Sequence, residues 1–144
     1  MRALLDTDVI LDILLDREPF AEAASALWQA NQHGDFEGYI SAITPINVFY
    51  IARKLKGAEI ARRAVTDLLA GLRVCTVDQM ILQAAIALPL TDYEDAVQYA
   101  SATANQVNVI VTRNVEDYKG TLIPVMLPLD FLNDLKKSNG ENPT

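Results

Sequence analysis

The run Val109-Ile110-Val111 constrains this chain more than any other stretch. Three consecutive β-branched residues, without the polar alternation of a half-exposed strand, suit a parallel strand covered on both faces by helices. Val107 to Thr112 is therefore read as a buried strand, and the short apolar runs Arg2 to Leu5, Gly38 to Ser41, Val74 to Val77 and Pro124 to Met126 as its companions.

The stretches between these runs carry helical spacing. Val9, Ile10, Ile13 and Leu14 recur behind Asp8, read as an N-cap. A second helix starts near Phe20, carries Ala23, Ala24, Leu27 and Trp28, and stops near Gly34. Thr44 caps and Pro45 opens a third, with Ile46, Phe49 and Tyr50 expected to face the core. After Gly57, a fourth carries Ile60, Ala61, Ala64, Val65, Leu68 and Leu69 up to Gly71. Asp78 caps a fifth with Met80, Ile81, Ala84 and Ala85 inward, and Thr91 to Gln106 is a sixth with Ala96, Val97, Ala100 and Ala104 on one side. Pro128 to Lys137 is the last. Strands separated by one or two helices imply parallel pairing through right-handed crossovers, hence one three-layer α/β/α domain with a central parallel sheet. Its expected extent is residues 1–135, with 136–144 a flexible tail.

Composition bounds what such a domain does. At 144 residues there is room for one core, and 51% hydrophobic with 22% charged residues is the balance of a folded protein rather than a disordered one. Twelve Lys and Arg against nineteen Asp and Glu leave a formal charge of −7, which argues against a broad cationic face tracking nucleic-acid phosphates. A local acidic cluster holding divalent cations reverses that logic. The single cysteine, Cys75, makes no internal disulfide, and the single histidine, His33, builds no clustered His/Cys metal site. Cys75 is read as core and His33 as a surface residue at a helix end. Asp6 and Asp8 follow Leu5 at once, so the apolar stretch of a signal peptide is not expected, and no apolar run reaches the length of a membrane span. The expected compartment is the cytoplasm.

In parallel α/β sheets the functional crevice lies at the carboxyl ends of the strands. Asp6 ends the first strand, Ser41 and Thr44 follow the second, and Thr112-Arg113-Asn114 follows the buried run. Asp92 and Asp95 share the first turn of the sixth helix, and Asp95 directly precedes the inward Ala96. Carboxylates brought together without Lys or Arg repel one another, and bound Mg²⁺ or Mn²⁺ relieves that repulsion through the oxygen ligands these ions prefer. Each residue also has a plainer role: a turn or cap for Asp6, a first-turn acid for Asp92 or Asp95, a cap for Asn114 and Asp117, a surface ion pair for Arg113. Asp12 and Asp16 continue from Asp8 at four-residue steps and are expected on a solvated face. Tyr93, Tyr99 and Tyr118 are read as core or rim residues, with base stacking as the alternative. There is no glycine-rich phosphate loop.

Leu4-Leu5-Asp6-Thr7-Asp8-Val9-Ile10-Leu11-Asp12, then Asp92-Tyr93-Glu94-Asp95-Ala96-Val97-Gln98-Tyr99-Ala100, then Ile110-Val111-Thr112-Arg113-Asn114 together resemble the PIN-domain family, and within it the VapC-like toxins. The resemblance runs from about Arg2 to Leu132. It implies an α/β/α domain that binds Mg²⁺ or Mn²⁺ and cleaves single-stranded or looped RNA as an endoribonuclease. It also implies a cognate antitoxin and a homodimer. Carried over by residue, the family's acids fall on Asp6 and Asp95, its usual glutamate on Asn47, and its last acid on Asn114, with Asp117 as a substitute. Thr112 matches its threonine. The two amides keep an oxygen ligand but bring no charge, so Asp92, Glu94 and Asp117 are the candidates to supply it. Arg113, Arg53 and Lys54 are the expected substrate contacts, within a basic strip that Lys56, Arg62 and Arg63 extend. The reaction implied is metal-assisted phosphodiester hydrolysis at Asp6 and Asp95, with Asn114 or Asp117 assisting. Its rivals are a PIN-like protein- or RNA-binding domain that does not cut, and a phosphate-handling hydrolase with Asp6 as covalent nucleophile.

Overall fold

Along β1 (Arg2–Leu5) the side chains alternate between two cores: Ala3 and Leu5 join one apolar cluster, Leu4 the other, and all three are fully buried. The same alternation recurs on β4 (Val109–Val111), where Val109 and Val111 face the first cluster and Ile110 the second. A strand buried on both faces needs a helical layer on each, as expected from the unbroken apolar runs. In the computed structural model, which describes residues 1–138, these strands lie inside a five-stranded sheet of order β3-β2-β1-β4-β5, with every neighbouring pair parallel. The others are β2 (Glu37–Ser41), β3 (Arg73–Cys75) and β5 (Val125–Met126).

One face is covered by α1 (Thr7–Leu14), α2 (Ala21–Gln32) and α7 (Pro128–Ser138), whose Ile10, Leu27 and Phe131 are fully buried. Phe131 meets Phe36 edge-on, with ring centroids 5.0 Å apart. α3 (Thr44–Lys56) and α4 (Ala58–Gly71) add Val48 and Leu68 to the same core. The two join at Gly57, whose φ of +93° is a region other residues rarely enter. The other face is covered by α6 (Tyr93–Ala104), against which α5 (Gln79–Ile86) packs through Ile81 and Ala85, and a 3₁₀ turn at Val115–Tyr118 places Tyr118 among Leu4, Tyr99 and Ile110. Full burial of one side chain such as Leu4 or Ile110 stabilises the fold by roughly 1.5–3 kcal/mol.

The structure corrects several local expectations. Asp8 is not the cap of α1; Asp6 is, its carboxylate accepting the Asp8 N–H at 3.1 Å. Thr44 is the first residue of α3 and buried, with Ile43 at the cap position. The inward face of α3 is Thr44, Val48 and Ala52, while Ile46 and Tyr50 are exposed. On α5 only Ile81 and Ala85 are buried, and Met80 and Ala84 face solvent, as does Ala104 on α6. Asp12 is buried rather than solvated, whereas Asp16 is exposed. Cys75 is buried and His33 exposed at the end of α2, as read from the sequence. Lys136 and Lys137 belong to α7, and residues 139–144 of the expected tail lie outside the described residues.

Candidate functional site

β1 and β4 are paired with Leu5 opposite Val111, so the next residues, Asp6 and Thr112, leave the sheet side by side. The Asp6 N–H extends the ladder to the Val111 carbonyl at 3.0 Å, and Thr112 Oγ1 donates to Asp6 Oδ2 at 2.9 Å. From the helical layer, Asp92 caps α6 by accepting the Asp95 N–H at 3.0 Å, which fixes Asp95 in the first turn. Asp95 comes from α6 and Asp6 from the junction of β1 and α1, and the Tyr118 hydroxyl stands between them, 3.0 Å from Asp6 Oδ2 and 3.4 Å from Asp95 Oδ1. Beneath lies a polar chain: Gln98 Nε2 donates to the Tyr118 oxygen at 3.3 Å, and Gln98 Oε1 accepts the Thr7 N–H at 3.3 Å. Thr7 Oγ1 is 3.0 Å from Thr44 Oγ1, which ties the start of α3 to the same network.

The electrostatics are those of acids held together. Burial pushes the Asp6 carboxyl above the ordinary aspartate value of 3.8, against the Asp8 N–H and the Thr112 hydroxyl, which lower it. Asp95 is pushed up to about 7, first by burial and then by Asp6, Asp92, Asp117 and Glu94. The Tyr118 phenol is raised by burial and by the two carboxylates, so it keeps its proton. Asp92, Asp95, Glu116 and Asp117 line a cavity of about 530 Å³ together with Pro89, Leu90, Thr91 and Lys119.

Asp6, Asp95 and Thr112 are thus brought together, and Asp92 and Asp117 border the adjoining cavity. Asn114 is turned to α1: its Nδ2 donates to Asp8 Oδ2 at 2.9 Å, while its N–H donates to Thr112 Oγ1 at 3.1 Å. Arg113 pairs with Asp12, Nε to Oδ2 at 3.4 Å, and lies over the Phe20 ring at 4.3 Å. Asn47 is partly buried in the first turn of α3, joined by its N–H to the Ile43 carbonyl. Arg53 and Lys54 are exposed further along that helix, with Arg53 roughly 13 Å along its axis from Thr44. Sequence reasoning missed Gln98 and the hydroxyl of Tyr118. Gln98 carried a signal, since it is a polar residue in the run Ala96 to Ala102, which is buried throughout.

The sequence matches the PIN domain family over residues 2–116. The chain belongs to the PIN-domain family. This PIN domain also shares its fold with solved structures. It is 25% identical to a chain of a toxin–antitoxin complex from Klebsiella pneumoniae, with 88% of this chain and 97% of that one covered and a TM-score of 0.64. VapBC-1 from nontypeable Haemophilus influenzae is 17% identical, with 90% and 99% covered and a TM-score of 0.66. FitAcB from Neisseria gonorrhoeae is 18% identical, with 88% and 98% covered and a TM-score of 0.60. No curated protein matches.

The donor set of this PIN domain is hard oxygen, the kind that Mg²⁺ and Mn²⁺ take. Among the described residues, no three His, Cys, Asp or Glu side chains are grouped to hold a metal ion. What the site offers is the Asp6 and Asp95 carboxyls, neither of them in a salt bridge with Lys or Arg among the described residues, which fits a weakly held cation completed by water. Among the described residues, no helix is long and apolar enough to cross a membrane.

Proposed function

We propose that this PIN domain is the toxin of a toxin–antitoxin pair, a Mg²⁺- or Mn²⁺-dependent endoribonuclease acting at the Asp6–Asp95 edge. The observation that carries the reading is the convergence of Asp6 and Asp95 on one hydroxyl, from separate elements and at the carboxyl end of the sheet. Asp6 and Asp95 would hold the ion, with Asp117 or Asn114 assisting and Asp92 adding negative charge. When bound, such an ion supplies Lewis-acid neutralisation of the scissile phosphate. The protein's own part is to hold the two carboxylates in place through Thr112, Asp8 N–H and Tyr118, and to seat RNA beside them in the 530 Å³ cavity.

Arg53 and Lys54 would meet the RNA backbone, and Arg113 would serve there through its exposed part while it stays paired with Asp12. The antitoxin of this reading is a small protein with a basic or amphipathic C-terminal stretch. An apolar groove edged by Lys56, Arg63 and Asp67 lies among the end of α1, α3 and α4 and suits its amphipathic part. A homodimer belongs to the same proposal, and light scattering tests it: a monomer mass at working concentrations removes it.

The second reading, a PIN-like domain that binds RNA or protein without cutting it, has an observation in its favour. The fold likeness supports it without further assumption, and among the described residues the acids do not form a three-membered metal group. Incubation of the purified protein with cellular RNA separates the two. New RNA ends that need Mn²⁺ and vanish with a chelator support the endoribonuclease. Retention of intact RNA at every metal concentration supports the binding domain.

A further inference from the structure

A phenol hydroxyl is costly to bury unless its bonds repay the lost water, and phenylalanine would fill the same core space without that cost. Tyr118 is 2% exposed, so its hydroxyl is present for the partners it meets. Those partners differ in kind. Gln98, itself wholly buried, donates to the Tyr118 oxygen at 3.3 Å and is held in turn by the Thr7 N–H. With its oxygen engaged from below, the single hydroxyl proton is left for the carboxylates, Asp6 Oδ2 at 3.0 Å and Asp95 Oδ1 at 3.4 Å.

Asp6 has four acceptor positions, of which the Asp8 N–H, the Thr112 hydroxyl and the Tyr118 hydroxyl take three. One position on Oδ1 stays open to a further partner. Removing the phenol hydroxyl would free a second position on Asp6 and remove the only group that contacts both acids among the described residues.

We infer that Tyr118 is a positioning residue: oriented by Gln98, its hydroxyl fixes Asp6 relative to Asp95 and thereby sets how tightly the pair takes a hard cation. This rests on the cation-site reading given above. Partners that hold a ligating carboxylate in place are worth about tenfold or more in metal affinity.

The test is titration of Mn²⁺ alone, followed by the electron paramagnetic resonance of the free ion, on wild type, Tyr118→Phe, Gln98→Met and Asp6→Asn. Wild type should bind Mn²⁺ and Asp6→Asn should not. Tyr118→Phe should keep the wild-type number of sites but bind about tenfold more weakly, and Gln98→Met should weaken binding in the same direction by less. In RNA cleavage at saturating Mn²⁺, Tyr118→Phe should lower kcat and leave KM near wild type, because a buried hydroxyl does not touch RNA. A role confined to folding would instead reduce the number of sites at unchanged affinity, and that result overturns the inference. So does unchanged Mn²⁺ affinity in both Tyr118→Phe and Gln98→Met while Asp6→Asn loses binding, which leaves the cation site standing. Absence of Mn²⁺ binding by wild type overturns the cation site itself, and the inference with it.

Discussion

Arg113 Nε lies 3.4 Å from Asp12 Oδ2, and the two ends of this ion pair are unequal: the Asp12 side chain is 3% exposed and that of Arg113 24%. Among the described residues Asp12 Oδ1 and Arg113 Nε have no hydrogen-bond partner, so the attraction is ionic rather than directional. Burial pushes the Asp12 carboxyl up, and Arg113 opposes that shift. The pair fastens α1 to the segment between Thr112 and Tyr118, one helical turn beyond the Asn114–Asp8 bond.

Loss of Arg113 should therefore cost more than loss of Asp12. Arg113→Ala takes the nearer cation from a buried carboxyl, leaving only the weaker pull of Arg17, and is expected to destabilise the fold. Asp12→Ala leaves a guanidinium that reaches water and stays over Phe20, so its cost should be smaller. Urea denaturation of both variants measures the order, and a costlier Asp12→Ala would refute it.

The pH dependence follows from Asp95. Its carboxyl is raised from 3.8 to about 7 in the fold, so the folded state holds a proton that the unfolded chain releases. Stability from this group is fully present below about 3.8 and is lost as pH rises through about 7. Asp95→Asn removes the charge, so it should gain in melting temperature relative to wild type between about pH 4 and about pH 8. A difference that does not change with pH would contradict the assignment.

How much was legible in the sequence depended on whether a residue's role was local. Val109-Ile110-Val111 announced a strand covered on both faces because the pattern and its cause lie in the same three residues. The placement of Asp6 at a strand end and of Asp95 in a first turn was legible in the same local way. The burial of Asp12 was not, because it depends on Arg113, about a hundred residues away, and the four-residue spacing of acids on α1 looks the same whether or not a partner arrives. Ile46 and Tyr50 were misplaced for a related reason: α3 is apolar on more than one side, and only the packing of Val48 and Ala52 decides which side is inward. Tyr118 gave a core signal that was correct, but its hydroxyl matters through α6 and β1.

We propose that Asn47 takes the place of an acid beside the cation site, and adding the acid is informative. If Asn47 adjoins the cation site, Asn47→Glu should raise Mn²⁺ affinity by adding a charge, and Asn47→Leu should lower cleavage. Unchanged Mn²⁺ binding in both variants would place Asn47 outside the site and leave Asp92, Glu94 and Asp117 as the source of the further charge.

RNA binding by a chain of net charge −7 needs local cations. Arg53→Glu with Lys54→Glu should weaken RNA binding and reduce the magnitude of its salt slope by about 1.4 if each contacts one phosphate of a single strand. An unchanged slope would remove both from the interface.

Calorimetric titration of Mn²⁺ into wild type and into Asp6→Asn/Asp95→Asn tests whether Asp6 and Asp95 together form the cation site. Wild type should give a weak, saturable binding isotherm and the double variant none, with circular dichroism showing both folded. Identical isotherms for the two proteins would contradict that assignment.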